Sequence, residues 1–312
     1  MINRTSTLQG LSQSLNVEKF LLCRPRGGLN DTLCQIERCW GYAEKFGRIL
    51  IIDTKQCAAF HGNFSDFFQP KTISHRFVFE LRRQQLAMLN KLTCFPSEMR
   101  GNISNFGMKR WYRIRNAIAR KTNVRRTFDF SKDYDEALLV HNVGGGGDLS
   151  FDLLRRLVIS ERIRPIILQR ISHLNDDYFA VHVRNTDLQT FYKEFFHKIS
   201  LDVKNKSLLV CSDDAAVLSY ARSYFDSSRI LLSSTCSDER GKPLHKKRVF
   251  RSSRWHKERA IDSIIDLIAL GQSTKLFVSN VTKGHLSGFS RLAQHLFENK
   301  DLIGSLLKTT PE

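Results

Sequence analysis

The chain has 312 residues, of which 41% are apolar and 26% are charged, and its formal net charge is +18. This composition is that of a globular protein of about two domains. No apolar run reaches the ~18–20 residues of a membrane span, which argues against an integral membrane protein. The cationic excess predicts attraction to polyanions, namely nucleic acid, anionic membranes or phosphorylated ligands.

The N-terminus and the cysteines indicate the cellular compartment in which the protein is expected. The first fifteen residues lack a cationic region followed by an apolar core, so no secretory signal is expected, and residues 1–17 are predicted to form a flexible tail. The seven cysteines are scattered and include no CxxC pair. Reduced thiols and a cytoplasmic location are therefore expected, and a zinc site or disulfide framework is not.

The chain then predicts a β–loop–α–β unit. Residues 18–23 (EKFLLC) are an apolar run typical of a strand, and residues 31–46 carry apolar side chains at helical spacing. Residues 48–53 (RILIID) form the next predicted strand. This order favours a parallel sheet.

The loop between the first strand and the first helix has the sequence RPRGGLN. Asn30 or Asp31 is predicted to cap the helix. Gly27 and Gly28 would then open a helix N-terminus, where free amides favour an anion. The alternative is that the two glycines only make a tight turn.

The middle of the chain carries a weaker pattern. Helical segments are predicted near 78–92 and 107–121, and a helix over 149–159 follows the break at 144–147 (GGGG). We predict a domain boundary at residue 160, with an N-terminal domain over 18–160 and a C-terminal domain over 161–312.

Residues 178–187 (YFAVHVRNTD) are the strongest motif. The apolar run predicts a buried strand, on which His182 and Arg184 share one face and Asp187 follows in a loop. In open α/β sheets, ligands bind just outside the carboxyl ends of strands. These three side chains suit an anionic ligand that carries hydroxyl groups. The alternative is a surface ion pair.

The pattern after residue 187 alternates helices and strands, which predicts a second doubly wound unit and a ligand cleft between the two halves. The predicted elements, in order, are a helix over 190–199, a strand over 207–211, a helix over 213–225, a strand over 229–232, a helix over 254–271, a strand over 275–279 and a helix over 287–297.

Two further segments fall at predicted strand ends or helix starts. Asp213 follows a strand in the sequence SDD, and residues 287–291 (SGFSR) open the last predicted helix. Hydroxyls and free amides at a helix start suit phosphate. The alternative is that Asp213 and Asp214 are a helix cap and that Ser287 is an ordinary serine cap.

Two basic stretches, 109–126 and 242–259, contain the aromatic residues Trp111, Tyr112 and Trp255. Aromatic side chains among cations are typical of single-strand nucleic-acid binding. The alternative is a solvated basic face.

Taken together, HVRNTD, the SDD segment, the helix that carries Asp266, and SGFSR resemble the fucosyltransferase superfamily. This group includes α1,6-fucosyltransferases, nodulation-factor fucosyltransferases and protein O-fucosyltransferases. The RGGLND segment also resembles a loop of that family. The motifs cover residues 20–53 and 178–296, whereas 54–165 matches nothing.

The resemblance implies an α/β fold of the GT-B type, with two Rossmann-like doubly wound domains facing a cleft. It implies an inverting, metal-independent transfer of fucose from GDP-fucose to a hydroxyl of a glycan or lipid-linked oligosaccharide. By the same resemblance, Arg184 would hold the β-phosphate of the donor, and Asp266 would face guanine. The other donor-binding residues implied are Gly27, Gly28, Asn30, His182, Asp187, Asp213, Ser287, Phe289, Ser290 and Arg291.

The acceptor hydroxyl needs a base, and Glu194 is the nearest carboxylate in the loop region after the HxRxxD motif, although its spacing departs from the family's. The expected partners are a nucleotide sugar and a glycan, with no cofactor or metal. The basic surface predicts peripheral contact with an anionic membrane face. Two alternatives stay open: a nucleic-acid-binding protein, and a pseudoenzyme that binds a sugar nucleotide without turnover.

Overall fold

The structure is a computed structural model. It describes residues 18–72, 74, 76–103, 127–174, 177–226, 229–234 and 253–309.

The N-terminal half begins with a β–α–β unit. Strand β1 (Phe20–Cys23) leads into helix α1 (Leu29–Lys45), and strand β2 (Ile49–Ile52) returns parallel to β1. Both strands are wholly buried, which explains their unbroken apolar sequences. The predicted unit is confirmed, although α1 begins at Leu29, before the predicted residue 31.

Short elements fill the next part of the chain. They are β3 (Phe68–Pro70), β4 (Phe77–Val78), α2 (Arg83–Leu89), β5 (Cys94–Phe95) and β6 (Leu138–His141). The helix predicted over 78–92 is correct only for α2, because β4 pairs in parallel with β2 instead. The helix predicted over 107–121 lies outside the described residues. Strand β6, which was not predicted, is buried in the sheet beside β1.

Helix α3 (Leu149–Arg156) is followed directly by strand β7 (Leu157–Ile159) and then by helix α4 (Arg164–Ile171). The helix predicted over 149–159 is therefore too long. Its last residues pair antiparallel with β3, and the branched side chains of Val158 and Ile159 favour that extended conformation.

The sheet of the N-terminal half has five parallel strands in the order β4–β2–β1–β6–β5. Strand β1 is at its centre, so the loop after β1 leaves from the middle of the carboxyl edge. The loop after the neighbouring strand β6 leaves from the same edge, and Arg26 bridges to Gly144 there.

The C-terminal half repeats the alternation of strands and helices, and every predicted strand in it is confirmed. Its four strands are parallel, in the order β10–β9–β8–β11. The elements are β8 (Phe179–Val183), α5 (Tyr192–Ile199), β9 (Leu208–Ser212), α6 (Ala215–Tyr224), β10 (Ile230–Leu231), α7 (Ser253–Gln272), β11 (Lys275–Val278), α8 (Gly288–Glu298) and α9 (Lys300–Leu307).

The last two helices join the halves. Helix α8 packs against α7 and also against α1 and α3, and α9 packs against β7 and α3. One apolar cluster consequently runs from Leu21 of β1 to Leu306 of α9. The predicted boundary at residue 160 stays a prediction.

A buried cation fixes the amino edge of the N-terminal sheet. Arg48 has no exposed side-chain surface, and its guanidinium lies 2.9 Å from the carboxylate of Asp133. It also donates to the backbone carbonyl of Glu136 at 2.9 Å and to the carbonyl of Tyr134. Arg48 thus ties the start of β2 to the segment that leads into β6.

Candidate active site

A cleft of about 330 Å³ lies where the carboxyl edges of the two sheets face each other. We call residues 27–31 and 58–61 the N-terminal wall; they follow β1 and β2. The C-terminal wall is formed by the ends of β8 and β9, the start of α8 and one side of α7. The predicted cleft between the two halves is therefore present.

Arg184 leaves the end of β8 and points into this cleft. Its Nε and Nη2 donate to Oδ1 of Asp187 at 3.1 and 2.6 Å, and its Nη1 lies 2.7 Å from Oδ2 of Asp213. Each terminal nitrogen carries two N–H groups, so each keeps one that is not directed at these carboxylates. The three residues predicted at the two strand ends are brought together, with the guanidinium held in one orientation.

Asp213 also orders the loop that follows β8. Its Oδ1 accepts from the backbone N–H of Asn185 at 2.9 Å, and its Oδ2 accepts from the hydroxyl of Thr186. The cap of α6 is the next residue, Asp214, which accepts from the backbone N–H of Ala216 at 2.9 Å. The capping alternative named Asp213 and Asp214, and it is confirmed for Asp214 only, because the carboxylate of Asp213 is used by Arg184 and the loop.

His182 connects β8 to the start of α8. Its Nδ1 lies 2.8 Å from the hydroxyl of Ser290, which lies 2.8 Å from the hydroxyl of Ser287. Ser287 is the cap of α8 and accepts from the backbone N–H of Ser290 at 3.1 Å. Burial, and then the charge of Arg184, lower the pKa of His182 to about 3, so the imidazole is neutral at pH 7.

Asp266 lines the cleft from α7. Its Oδ1 accepts from the hydroxyl of Ser233 at 2.6 Å. Burial raises the pKa of Asp266 to about 6, and the charge of Asp262 also raises it, whereas hydrogen bonds from Ser233 and Ser234 lower it. The carboxylate is thus ionised at pH 7 and ready to accept hydrogen bonds from a ligand.

Asn30 is the best-fixed residue of the N-terminal wall. Its Oδ1 accepts from the hydroxyl of Ser150 at 2.6 Å, and its Nδ2 donates to the carbonyl of Gly147 at 3.3 Å. The prediction that Asn30 or Asp31 caps α1 is wrong, because Gly28 occupies the cap position and no side chain caps the helix. Asn30 instead ties the helix start to the glycine-rich loop after β6.

Gly288, the first residue of α8, lies directly against Asn30 of the N-terminal wall. A Cβ atom at this position would lie 2.9 Å from Nδ2 of Asn30. We expect Gly288→Ala to lower the free energy of unfolding by roughly 1–3 kcal/mol, because Asn30 is pinned and its neighbours must move. Thermal melting measures this. Gly304→Ala in α9, where a Cβ atom meets nothing within 4 Å, is the control and should be neutral or slightly stabilising. Equal melting of the two variants would contradict the close approach.

The remaining predicted residues lie in different places. Phe289 lines the cleft beside His182, with ring centroids 4.9 Å apart. Arg291 does not line the cleft and instead pairs with Asp148 at the start of α3. Glu194 is exposed in the first turn of α5 and is not among the cleft-lining residues. Its role as the base stays a prediction.

Sequence reasoning missed part of the cleft. Asp31 was considered only as a cap, and His61 lies in a segment with no readable pattern. The ring of His61 contacts the ring of His256 of α7 in a tilted arrangement, with centroids 4.1 Å apart, so the walls also meet at this end. Trp255 and Arg259, both on α7, line the cleft here. No local signal in the sequence marks these residues as neighbours of the HxRxxD motif.

The described residues include neither a group of potential metal ligands nor a membrane-spanning helix. Within them, no three His, Cys, Asp or Glu side chains are grouped so that they could hold a metal ion. No helix of that part of the chain is both long and apolar enough to cross a bilayer. The basic stretches lie largely outside the described residues, which include only 253–259 of them.

The two parallel sheets define a mixed α/β fold, and a ligand-sized cleft lies at their facing carboxyl edges. Solved structures of fucosyltransferases have a fold of this kind. The fucosyltransferase NodZ from Bradyrhizobium is 19% identical, with a TM-score of 0.58 over 89% of this chain and 93% of that one. No family model matches the sequence. No curated protein matches it either.

Two further structures have the same fold. NodZ α-1,6-fucosyltransferase soaked with GDP-fucose is 19% identical, with a TM-score of 0.56 over 89% of this chain and 92% of that one. POFUT1 in complex with GDP is 12% identical, with a TM-score of 0.50 over 89% of this chain and 94% of that one. The resemblance that the motifs indicated is confirmed at the level of the fold.

Proposed function

We propose that the protein is a glycosyltransferase that transfers fucose from GDP-fucose to a hydroxyl of a glycan or lipid-linked oligosaccharide. The observation that carries the proposal is Arg184, which is held by two carboxylates beside the serine-capped start of α8. The shared fold supports it, since the structures that have this fold include fucosyltransferases crystallised with GDP and GDP-fucose.

The donor would bind along the C-terminal wall. Arg184 and the free amides at the start of α8 would hold the diphosphate, and the Ser287 hydroxyl would orient it, whereas Ser290 is buried behind the cleft and supports His182 and Ser287. Asp266 would accept hydrogen bonds from the N–H groups of guanine. His182 is neutral and adds no second positive charge there. Gly27, Gly28 and Asn30 would meet the sugar from the N-terminal wall.

Breaking the bond between fucose and phosphate places negative charge on the departing GDP. Fixed donors around the diphosphate stabilise that charge, so the chemistry runs without a metal ion in this proposal. Attack from the N-terminal wall inverts the anomeric centre. The proposal includes a GT-B arrangement, with the acceptor-side domain over 18–160 and the donor-binding domain over 161–312.

Calorimetric titration with GDP, GDP-fucose, UDP and UDP-sugars, without added metal, tests the donor site. We expect guanine nucleotides to bind and uridine nucleotides to bind at least tenfold more weakly. Preference for a uridine nucleotide would leave the fold assignment intact but would contradict GDP-fucose as the donor. Absence of any nucleotide binding would contradict the proposed function, and steep salt-dependent binding of single-stranded RNA would then favour the nucleic-acid alternative.

The Asp266 carboxyl predicts a pH dependence of GDP binding. Its pKa of about 6 in the free protein means that acidification protonates it near pH 6 and removes the acceptor for guanine. We expect the affinity for GDP to fall roughly tenfold per pH unit below pH 6 and to be constant above pH 7.

Asp266→Asn is the control for this pH dependence, because the phosphate of GDP also titrates near pH 6 and does so equally with both proteins. The ratio of the two dissociation constants isolates the Asp266 carboxyl. A ratio that stays constant from pH 5 to pH 8 would contradict the assignment to guanine.

A further inference from the structure

The segment that follows strand β10 lies behind the part of the cleft that Asp266 lines. Strand β10 runs parallel to β9, so both strands end at the sheet edge that faces the cleft. Ser233 comes two residues after β10 and is only 3% exposed. It is not among the described residues that line the cleft. Its hydroxyl group can therefore influence a ligand only through another side chain.

The side chain that Ser233 contacts is Asp266. The Ser233 hydroxyl donates to Oδ1 of Asp266 at 2.6 Å, which is the short distance typical of a hydroxyl bound to an ionised carboxylate. The thiol of Cys211, on β9, lies 3.7 Å from the same hydroxyl. The carboxylate plane of an aspartate otherwise turns over a broad range about χ2. The bond from Ser233 restricts that rotation, and with it the orientation in which Asp266 is presented to the cleft.

The same bond supports the charge of Asp266. Burial raises the pKa of this carboxyl, and the bond from Ser233 is the strongest of the influences that lower it, followed by a bond from Ser234. The ionisable side chains that act on the carboxyl are Cys211 and Asp262, which lies one turn earlier on α7 and raises its pKa. Burial raises the pKa of Cys211 well above its usual value, so that thiol is neutral at pH 7. Loss of the Ser233 hydroxyl would therefore raise the pKa of Asp266 further.

Guanine presents two neighbouring donors to a carboxylate, the N1–H group and the exocyclic 2-amino group. A carboxylate has two acceptor oxygens and receives both donors only when its plane is aligned with the ring. Hypoxanthine keeps the N1–H group but lacks the amino group. The orientation of Asp266 therefore decides whether the site distinguishes these two bases, whereas the charge of Asp266 decides how tightly either base binds.

We propose that Ser233 is a positioning residue for recognition of the donor base. It holds the Asp266 carboxylate so that one oxygen receives the N1–H group of guanine and the other receives the 2-amino group. The inference rests on the proposed function, which assigns guanine to Asp266, and it adds the residue that sets the selectivity of that contact. Because Ser233 does not touch the nucleotide, its effect requires Asp266.

Calorimetric titration with GDP and with inosine diphosphate at pH 7.5 tests the proposal. We expect the unaltered protein to bind GDP at least about tenfold more tightly than inosine diphosphate, which lacks one of the two donors. For Ser233→Ala we expect the affinity for GDP to fall roughly tenfold and the preference for GDP to fall below about threefold. A serine that only filled space would leave this preference unchanged.

The pH dependence of GDP binding is the second readout. Because the pKa of Asp266 is higher in Ser233→Ala, acidification removes the carboxylate of the variant at a higher pH. We expect the dissociation constant of Ser233→Ala, divided by that of the unaltered protein, to increase as the pH falls from 8 to 6. The phosphate of GDP titrates equally with both proteins and cancels in this ratio. A constant ratio over this range would contradict the role of Ser233.

Three further variants make the test specific. Ser273→Ala removes a fully buried hydroxyl just after α7, where it donates to the carbonyl of Leu270 at 2.8 Å, and should bind GDP normally. Ser233→Cys, kept reduced, retains the volume but has a weak donor. Its preference should be intermediate, and it carries the comparison if thermal melting shows that Ser233→Ala is unfolded. Adding Ser233→Ala to Asp266→Asn should change the affinity for GDP by less than about twofold, because the two residues act as a unit.

Several results would overturn the proposal. Equal affinity of the unaltered protein for the two nucleotides would do so, and so would an unchanged preference in folded Ser233→Ala. Equal loss of affinity for both nucleotides at every pH would mean that Ser233 only supports the fold. A full effect of Ser233→Ala in the Asp266→Asn background would also contradict the coupling.

The same titrations separate this inference from the proposed function. If the unaltered protein binds no guanine nucleotide, or if Asp266→Asn binds GDP as tightly as the unaltered protein, the assignment of guanine to Asp266 fails and the role of Ser233 fails with it. If binding of GDP depends on Asp266 but not on Ser233, the donor assignment stands and this inference falls.

Discussion

Arg184→Ala should abolish donor turnover while leaving the fold in place. The guanidinium would contact the diphosphate in the ground state and would stabilise the charge that develops on it. Removing one such donor typically lowers kcat by roughly 10²–10³-fold. Charged hydrogen bonds lost in binding add to this, so we expect kcat/KM for GDP-fucose to fall at least about 1,000-fold. Steady-state release of GDP measures the first effect, and calorimetry measures the binding.

The variant also removes the guanidinium that Asp187 and Asp213 both contact. Thermal melting and circular dichroism must therefore accompany the assay. Arg184→Lys is a second variant that keeps the charge but loses the planar fork, and we expect it to bind GDP at least tenfold more weakly. Arg222→Ala, on the exposed side of α6, is the control for a lost arginine and should be unaffected. Normal turnover by Arg184→Ala would contradict the proposal that the protein is a fucosyltransferase.

Arg48→Met should cause the largest loss of stability. The methionine retains most of the apolar stem but leaves the carbonyls of Glu136 and Tyr134 without the guanidinium that now donates to them. Breaking a buried ion pair costs roughly 3–5 kcal/mol, and the melting temperature should fall by roughly 6–20 °C. Asp133 is partly exposed, so water can solvate its carboxylate once the guanidinium of Arg48 is removed. Denaturant unfolding and thermal melting both measure the effect.

Arg76→Met is the matched control for Arg48→Met. Arg76 is exposed and donates at 2.8 Å to the carbonyl of Gly47, the residue that precedes Arg48. A substitution at such a position usually changes stability by less than about 0.5 kcal/mol. If Arg48→Met and Arg76→Met melted alike, the buried network around Arg48 would not be the anchor that we describe.

The repeated β–α alternation made much of the fold predictable. Strands such as ILII at residues 49–52 and FAVHV at 179–183 are apolar because they are buried in parallel sheets. The apolar runs in the sequence therefore coincide with the strands of the structure. Errors arose where tertiary pairing overrode local preference. Residues 157–159 extended the helical pattern of α3, but pairing with β3 made them a strand.

Most of the C-terminal wall of the cleft was also predictable, because the ends of β8 and β9 and the start of α8 are visible in the sequence, whereas Trp255 and Arg259 of α7 were missed. The N-terminal wall was harder. Asn30 was noted for its place in a loop, but its bonds to Ser150 and Gly147 link residues more than a hundred positions apart. His61 and His256 meet only through the tertiary fold, and no periodicity can indicate such a contact.

Helices α8 and α9 have a consequence for how the chain can be divided. They follow the last strand of the C-terminal sheet, yet they pack against α1, α3 and β7 of the other half. A fragment that ended before α8 would expose the apolar surface that these two helices cover. A fragment of the C-terminal half alone would carry the matching surface without its partner. Recombinant halves should therefore aggregate separately and recover a native fold only when they are produced together.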